Sequence, residues 1–135
     1  MTNVVDSSLW VDYFREKTPP AVKAQVDGII RQGDVAICAP IHFELVRAVS
    51  QNEARKIEEF FATIPVLETP ESLWADSGRL GQKCAKAGFL APAIDLLIAQ
   101  ICIHHDVLIT TFDADFQKIA SVSPLRLNLL PRRIR

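Results

Sequence analysis

An α/β sandwich, with parallel strands and helices over both faces, is the fold that this sequence predicts. Three features point to it. Short apolar runs of β character alternate with longer stretches of helical periodicity. Prolines stand where several of those stretches begin. The 135 residues show no repeat, no low-complexity segment and no linker, which fits one domain spanning residues 1–135 and leaves no room for a second.

The elements follow in order. A first strand covers residues 3–5 and a helix residues 8–14. Pro19 and Pro20 open a second helix, with Val22, Val26, Ile29 and Ile30 on one face and an end near Gly33. A second strand covers residues 35–38, and Pro40 starts the helix that carries Phe43, Leu45 and Val46. A further helix over residues 53–62 leads into a short third strand, residues 66–67. Pro70 opens a helix ending near Gly88, and another spans residues 92–104. A fourth strand at 107–110, a short helix at 116–120 and a last strand at 125–129 complete the chain.

Composition narrows the class. A hydrophobic fraction of 49% supports a core without disulfides or a structural metal, and 23% charged residues describe an ordinary globular surface. Cys38, Cys84 and Cys102 are odd in number and far apart, which does not support a zinc or redox motif; they read as small core residues in a reducing compartment. The N-terminal stretch MTNVVDSSLW lacks a signal-peptide pattern, and apolar runs such as residues 96–99 are too short to span a bilayer, so a cytoplasmic protein with no membrane role is expected. A net charge of −1 argues against a simple electrostatic binder of nucleic acid. The balance changes if four of the acids share one site, because the rest of the chain is then net basic.

Four acids fall where a parallel sheet would gather them. Ligands of such sheets bind beyond the carboxyl ends of the strands. Asp6 ends the first strand, Glu44 lies early in the helix after the second strand, and Asp113 follows the fourth strand. The helix carrying Asp95 runs down to His104 and His105 and turns directly into the fourth strand, so its beginning, with Asp95, lies at the same upper edge. Ionised carboxylates crowded together raise one another's pKa, and a divalent cation relieves the conflict. All-oxygen ligands favour a hard ion, Mg²⁺ or Mn²⁺, and such a site suits phosphodiester hydrolysis. Each acid also has a purely structural role open to it. Asp6 is a possible helix N-cap, although Ser7 and Ser8 are better placed; Glu44 and Asp95 suit a helix dipole; Asp113 suits the cap of the short helix after it.

Several segments resemble the PIN-domain pattern. These are Asp6-Ser7-Ser8 after an apolar strand, Phe43-Glu44-Leu45, Asp95-Leu96-Leu97-Ile98-Ala99, and Thr111-Phe112-Asp113-Ala114-Asp115-Phe116 after a strand. The resemblance spans nearly the whole chain, and is strongest to the VapC toxin ribonucleases of bacterial toxin–antitoxin pairs. It implies a PIN-like α/β/α sandwich with a central parallel five-stranded sheet and a Mg²⁺- or Mn²⁺-dependent endoribonuclease activity on RNA. It also implies a homodimer and a cognate antitoxin. Asp6 and Asp95 are then the leading metal-binding acids, with Glu44 and Asp113 completing the catalytic cluster, and Thr111 and Ser7 hydrogen-bond around them.

Other residues carry two readings each. Arg79, Lys83 and Lys86 share a helix face, either solvated or following an RNA backbone. The basic tail Pro131-Arg132-Arg133-Ile134-Arg135 is either a frayed end or an RNA contact. His42 is a candidate substrate contact; His104 and His105 lie away from the acids. Trp10, Tyr13 and Phe14, with Phe60 and Phe61, form either core packing or a groove for a partner helix. Asp113 is expected to face the site and Asp115 to cap the short helix. Two rival functions stand beside the ribonuclease: an inactive PIN-like binding module, and another Mg²⁺-dependent phosphoryl-transfer enzyme. Against the latter, an aspartyl phosphatase wants an acid at position 8, where Ser8 stands, and the five glycines form no phosphate-cradling loop.

Overall fold

The computed structural model describes residues 1–131. Four parallel strands make its sheet: β1 (Asn3–Val5), β2 (Val35–Ala36), β3 (Leu108–Thr111) and β4 (Arg126–Leu129), in the spatial order β2-β1-β3-β4. Around it pack α1 (Ser7–Phe14), α2 (Pro20–Arg31), α3 (Ala39–Arg47), α4 (Gln51–Phe61), α5 (Leu73–Lys86), α6 (Ala93–His105) and α7 (Asp115–Ala120). The α/β architecture with a parallel sheet matches the expectation.

The fifth strand does not form. Val66 makes only an isolated parallel bridge to Ile37, held by Ile37 N–H to the Pro65 carbonyl at 3.0 Å and Leu67 N–H to the Ile37 carbonyl at 2.8 Å. Pro65 has no amide proton to donate and Pro70 follows closely, so the run is too short to extend the ladder. It lies outside β2, where a fifth strand would have stood.

Helix starts agree with their chemistry. Pro20 and Pro40 occupy the first two positions of α2 and α3, where the missing N–H costs nothing. α4 begins two residues before the expected Glu53. Ser50 and Glu53 form a capping box, so Glu53 marks the third helical position and not the first. α6 ends on Asp106 in the left-handed conformation (φ 52°), with Val107 N–H bonded to the Cys102 carbonyl at 3.0 Å and Asp106 N–H to that of Ile103 at 3.1 Å. Arg126 of β4 grips the Asp106 carboxylate through Nε (2.7 Å) and Nη2 (3.3 Å). The helix thus passes directly into β3, as the chain order implies.

Val4, Val5 and Ile109 of the two central strands are fully buried, as are Ile98, Ile101 and Cys102 of α6. All three cysteines are free and buried. The aromatic cluster divides its two readings. Trp10 is fully buried, its ring 5.0 Å from Phe61, 5.7 Å from Phe60 and 5.9 Å from Phe14 and Tyr13. It locks α1 to α4, so the groove reading fails for Trp10, while Tyr13, Phe14 and Phe60 stay half-buried at the surface. Among the described residues no helix is long and apolar enough to cross a membrane. Arg132, Arg133, Ile134 and Arg135 lie outside the described residues.

Because Trp10 fills the centre of this packing, Trp10→Ala is expected to cost about 3–5 kcal/mol of folding stability. Urea denaturation measures it; a loss below about 1 kcal/mol would mean that the cluster is not part of the core.

Candidate active site

The chain leaves β1 toward β2 on one side, and β3 lies on the other. The carboxyl ends of β1 and β3 therefore flank the topological switch point of the sheet. The β1–β3 register pairs Val5 with Thr110, and Asp6 N–H continues the ladder to the Thr110 carbonyl at 3.0 Å. One step on, Asp6 and Thr111 stand side by side.

Asp6 is 5% exposed and sits in a built cradle. Thr111 Oγ1 donates to Asp6 Oδ2 at 2.8 Å, and Ser7 N–H donates to Oδ1 at 2.8 Å. Asp6 is itself the N-cap of α1, a role the sequence pattern favoured for Ser7 or Ser8. Ser7, freed from capping, donates its hydroxyl to Glu44 Oε1 at 3.0 Å and so ties α3 to the end of β1. Thr111 acts in two directions, since its oxygen also accepts from Asp113 N–H at 2.9 Å. Ser7 and Thr111 thus both bond to site acids, as the resemblance implies.

Asp95 occupies the first turn of α6 and is half-buried. One carboxylate oxygen each from Asp95, Asp113 and Asp115 lies within 4.8 Å of the others. Glu44 and Asp6 stand outside that trio but within electrostatic reach of it. Burial pushes the Asp95 carboxyl up to about 7, reinforced by the charges of Asp6, Asp113, Glu44 and Asp115. Burial likewise holds Asp6 above its ordinary range, opposed by the Thr111 and Ser7 hydrogen bonds and assisted by Glu44 and Asp113. Beneath the site, Cys38 at the start of α3 is pushed up to about 12, first by burial and then by Asp6 and Glu44.

Asp113 stands in the acidic trio, and the cap expected of Asp115 falls to Asp113 as well. Asp113 Oδ1 accepts from Asp115 N–H at 2.9 Å, so Asp113 does the capping. Asp115 is the first residue of α7 and makes no cap bond; its side chain joins the acidic trio. Side chains in a helix lean toward its N-terminus, which here faces the sheet edge. An acid pair spaced by one residue across a helix start therefore carries a signal that the capping rule alone hides. His42 is engaged elsewhere, its Nε2 2.6 Å from Glu58 Oε1 of α4. His105 Nε2 lies 2.7 Å from the Glu68 carbonyl, and Arg79 is paired with Asp76 at 2.9 Å.

The fold and these acids define a class: an α/β domain with a carboxylate cluster at the switch point of a parallel sheet. The chain belongs to the PIN domain family, whose model matches residues 4–122. It is 28% identical over 128 residues to a protein named VapC ribonuclease Mb1587 from Mycobacterium bovis, covering 91% of this chain and 95% of the relative. The same identity and coverage hold for Ribonuclease VapC11 from Mycobacterium tuberculosis. Among solved structures, the fold resembles that of VapBC2 from Rickettsia felis bound to a promoter DNA fragment, with a TM-score of 0.74 at 17% identity over 96% of this chain and 99% of that one. VapBC-1 from nontypeable Haemophilus influenzae gives a TM-score of 0.72 at 18% identity, covering 96% and 98%.

The raised Asp95 fixes a pH dependence for the metal-free protein. Between the ordinary carboxyl value of 3.8 and about 7 the folded state holds a proton that the unfolded state has lost. Stability therefore falls as pH rises through that window. Asp95→Asn, which cannot ionise, is expected to melt above wild type at pH 8 in chelator, with the gap closing toward pH 4. Equal melting temperatures across this range would show that burial and the neighbouring acids do not raise the Asp95 carboxyl.

Proposed function

We propose that this protein is a metal-dependent endoribonuclease that hydrolyses RNA phosphodiester bonds, acting as the toxin of a toxin–antitoxin pair. The observation that carries the reading is the convergence of Asp95, Asp113 and Asp115 within 4.8 Å beside a buried Asp6. The ribonuclease names of relatives matched over most of their length support it. A cognate antitoxin, a homodimer, a cytoplasmic location and a single PIN domain belong to the same reading.

The donor set fits a hard divalent ion. Its oxygens are close enough to share one cation, and the rise in Asp95, due first to burial and then to the neighbouring acids, marks a carboxylate that such an ion stabilises. Mg²⁺ or Mn²⁺ is therefore assigned to Asp95, Asp113 and Asp115, with Asp6 and Glu44 completing the site. When bound, the ion lowers the pKa of a coordinated water and offsets charge on the phosphate. The chain's own residues do the positioning. Thr111 and Ser7 hold both oxygens of Asp6 in place. Ser7 also orients Glu44 through its Oε1. Without neutralisation the same acids repel an RNA strand.

RNA cleavage by the purified protein is expected to require Mg²⁺ or Mn²⁺ and to stop in excess chelator. Asp6→Asn and Asp95→Asn should each lose more than the ~10–100-fold typical of partners outside the ligand shell, while Thr111→Val should fall within that range. Cleavage undiminished by chelator, with tightly held metal excluded, would overturn the metal assignment. No cleavage by wild type at saturating Mn²⁺ would leave the binding-module alternative.

Asp115→Ala is expected to lose cleavage and metal affinity with little change in melting temperature. Asp113→Ala should lose activity and also about 0.5–2 kcal/mol of stability, because it removes a helix cap as well. Thermal melts paired with cleavage rates separate the two, and an active but destabilised Asp115→Ala would reverse the assignment.

A further inference from the structure

We propose that Lys118, held over the ring of Phe89, is the cation that engages an RNA phosphate beside the acidic cluster; this rests on the ribonuclease reading above. Lys118 lies on α7 three residues after Asp115, so the two share a helix face. Its Nζ stands 4.7 Å from the Phe89 ring centroid. The ion pairs among the described residues are Asp27–Arg31, His42–Glu58, Asp76–Arg79 and Asp106–Arg126, and Lys118 is in none of them. An aromatic ring restrains an ammonium without neutralising it, so the full charge and its outward N–H groups stay available to an anion.

The ring is itself fixed. α5 closes with Gly88 at φ +91°, a conformation other residues rarely adopt. Gly88 N–H reaches the Ala85 carbonyl and Phe89 N–H the Cys84 carbonyl, both at 2.9 Å, which is the Schellman closure. Phe89 then packs on the core just before α6, whose first turn carries Asp95. The Phe89–Lys118 contact thus joins the α5–α6 connection, which leads into the helix of Asp95, to α7, which carries Asp115. A strand whose scissile phosphate lies at the carboxylates needs an adjoining phosphate held by a positive group, since the cluster itself repels it.

The test uses the full-length protein and a short single-stranded RNA that it cuts. Lys118→Met keeps an apolar chain on the ring and removes the charge; Lys118→Arg keeps the charge. Lys17→Met is the control, because Lys17 lies past the C-terminal end of the helix that Asp6 caps. Lys118→Met is expected to raise KM about tenfold, the size of one charge-assisted hydrogen bond, with kcat unchanged. The slope of log 1/KM against log salt for the same RNA, measured with the metal present, should shrink by about 0.7, one phosphate contact on a single strand. Lys118→Arg should retain most of the affinity, and Lys17→Met should match wild type. An active wild type with unchanged KM and salt slope in Lys118→Met overturns this assignment alone, as does a fall in kcat at constant KM. A wild type that cuts no RNA overturns the ribonuclease reading itself.

Discussion

The hydrogen bond from Thr111 to Asp6 joins the two central strands at the point where the sheet changes direction, and the arrangement of the acids depends on it. It exists because β1 and β3 are neighbours although more than a hundred residues separate them in the chain. From that junction Glu44, Asp113 and Asp115 are placed by short reaches: Ser7 to Glu44, Thr111 to the Asp113 amide, Asp113 to the Asp115 amide. A chain of neutral donors thus holds a set of negative acceptors. Carboxylates this close are unfavourable in isolation, and the donors offset part of the cost in the folded state.

Burial and charge oppose each other most strongly at Asp6 and Asp95. Asp6 is deeper, yet it receives two direct hydrogen bonds that favour its charged form. Asp95 has a more open position, and its carboxyl is held near neutrality by burial and by four other acids. The two carboxylates therefore respond differently to pH and to cations, one braced by the protein and the other awaiting a counter-charge. Position along the chain does not reveal that division of roles, because it depends on which donors happen to face each oxygen.

Much of the architecture was legible beforehand because it follows from local periodicity. Alternating apolar runs and helical stretches specify a parallel α/β sheet, and a helix that turns directly into a strand must begin at the edge where Asp95 lies. What was not legible depends on neighbours. Residues 66–67 have strand chemistry, but adjoining prolines reduce them to one bridge. Trp10 reads equally well as core or groove until Phe60 and Phe61 of α4 close around it. Asp113 and Asp115 are both plausible caps, and only the hydrogen bond between them shows which one is used. Asp6 took the cap of α1 from two serines because the helix begins at Ser7, one residue earlier than expected, and Asp is as good a cap as Ser.

The two sides of the acidic cluster are anchored to parts of the molecule with very different resistance to opening. Asp6 hangs from β1, whose Val4 and Val5 are fully buried between neighbouring strands. Asp115 belongs to α7, a helix of six residues near the surface. Amide protons around Asp6 should then exchange with solvent only when the whole domain unfolds, whereas those of α7 exchange through local fraying. The cluster therefore spans the buried sheet and a short helix, and anything that binds all the acids together ties the two.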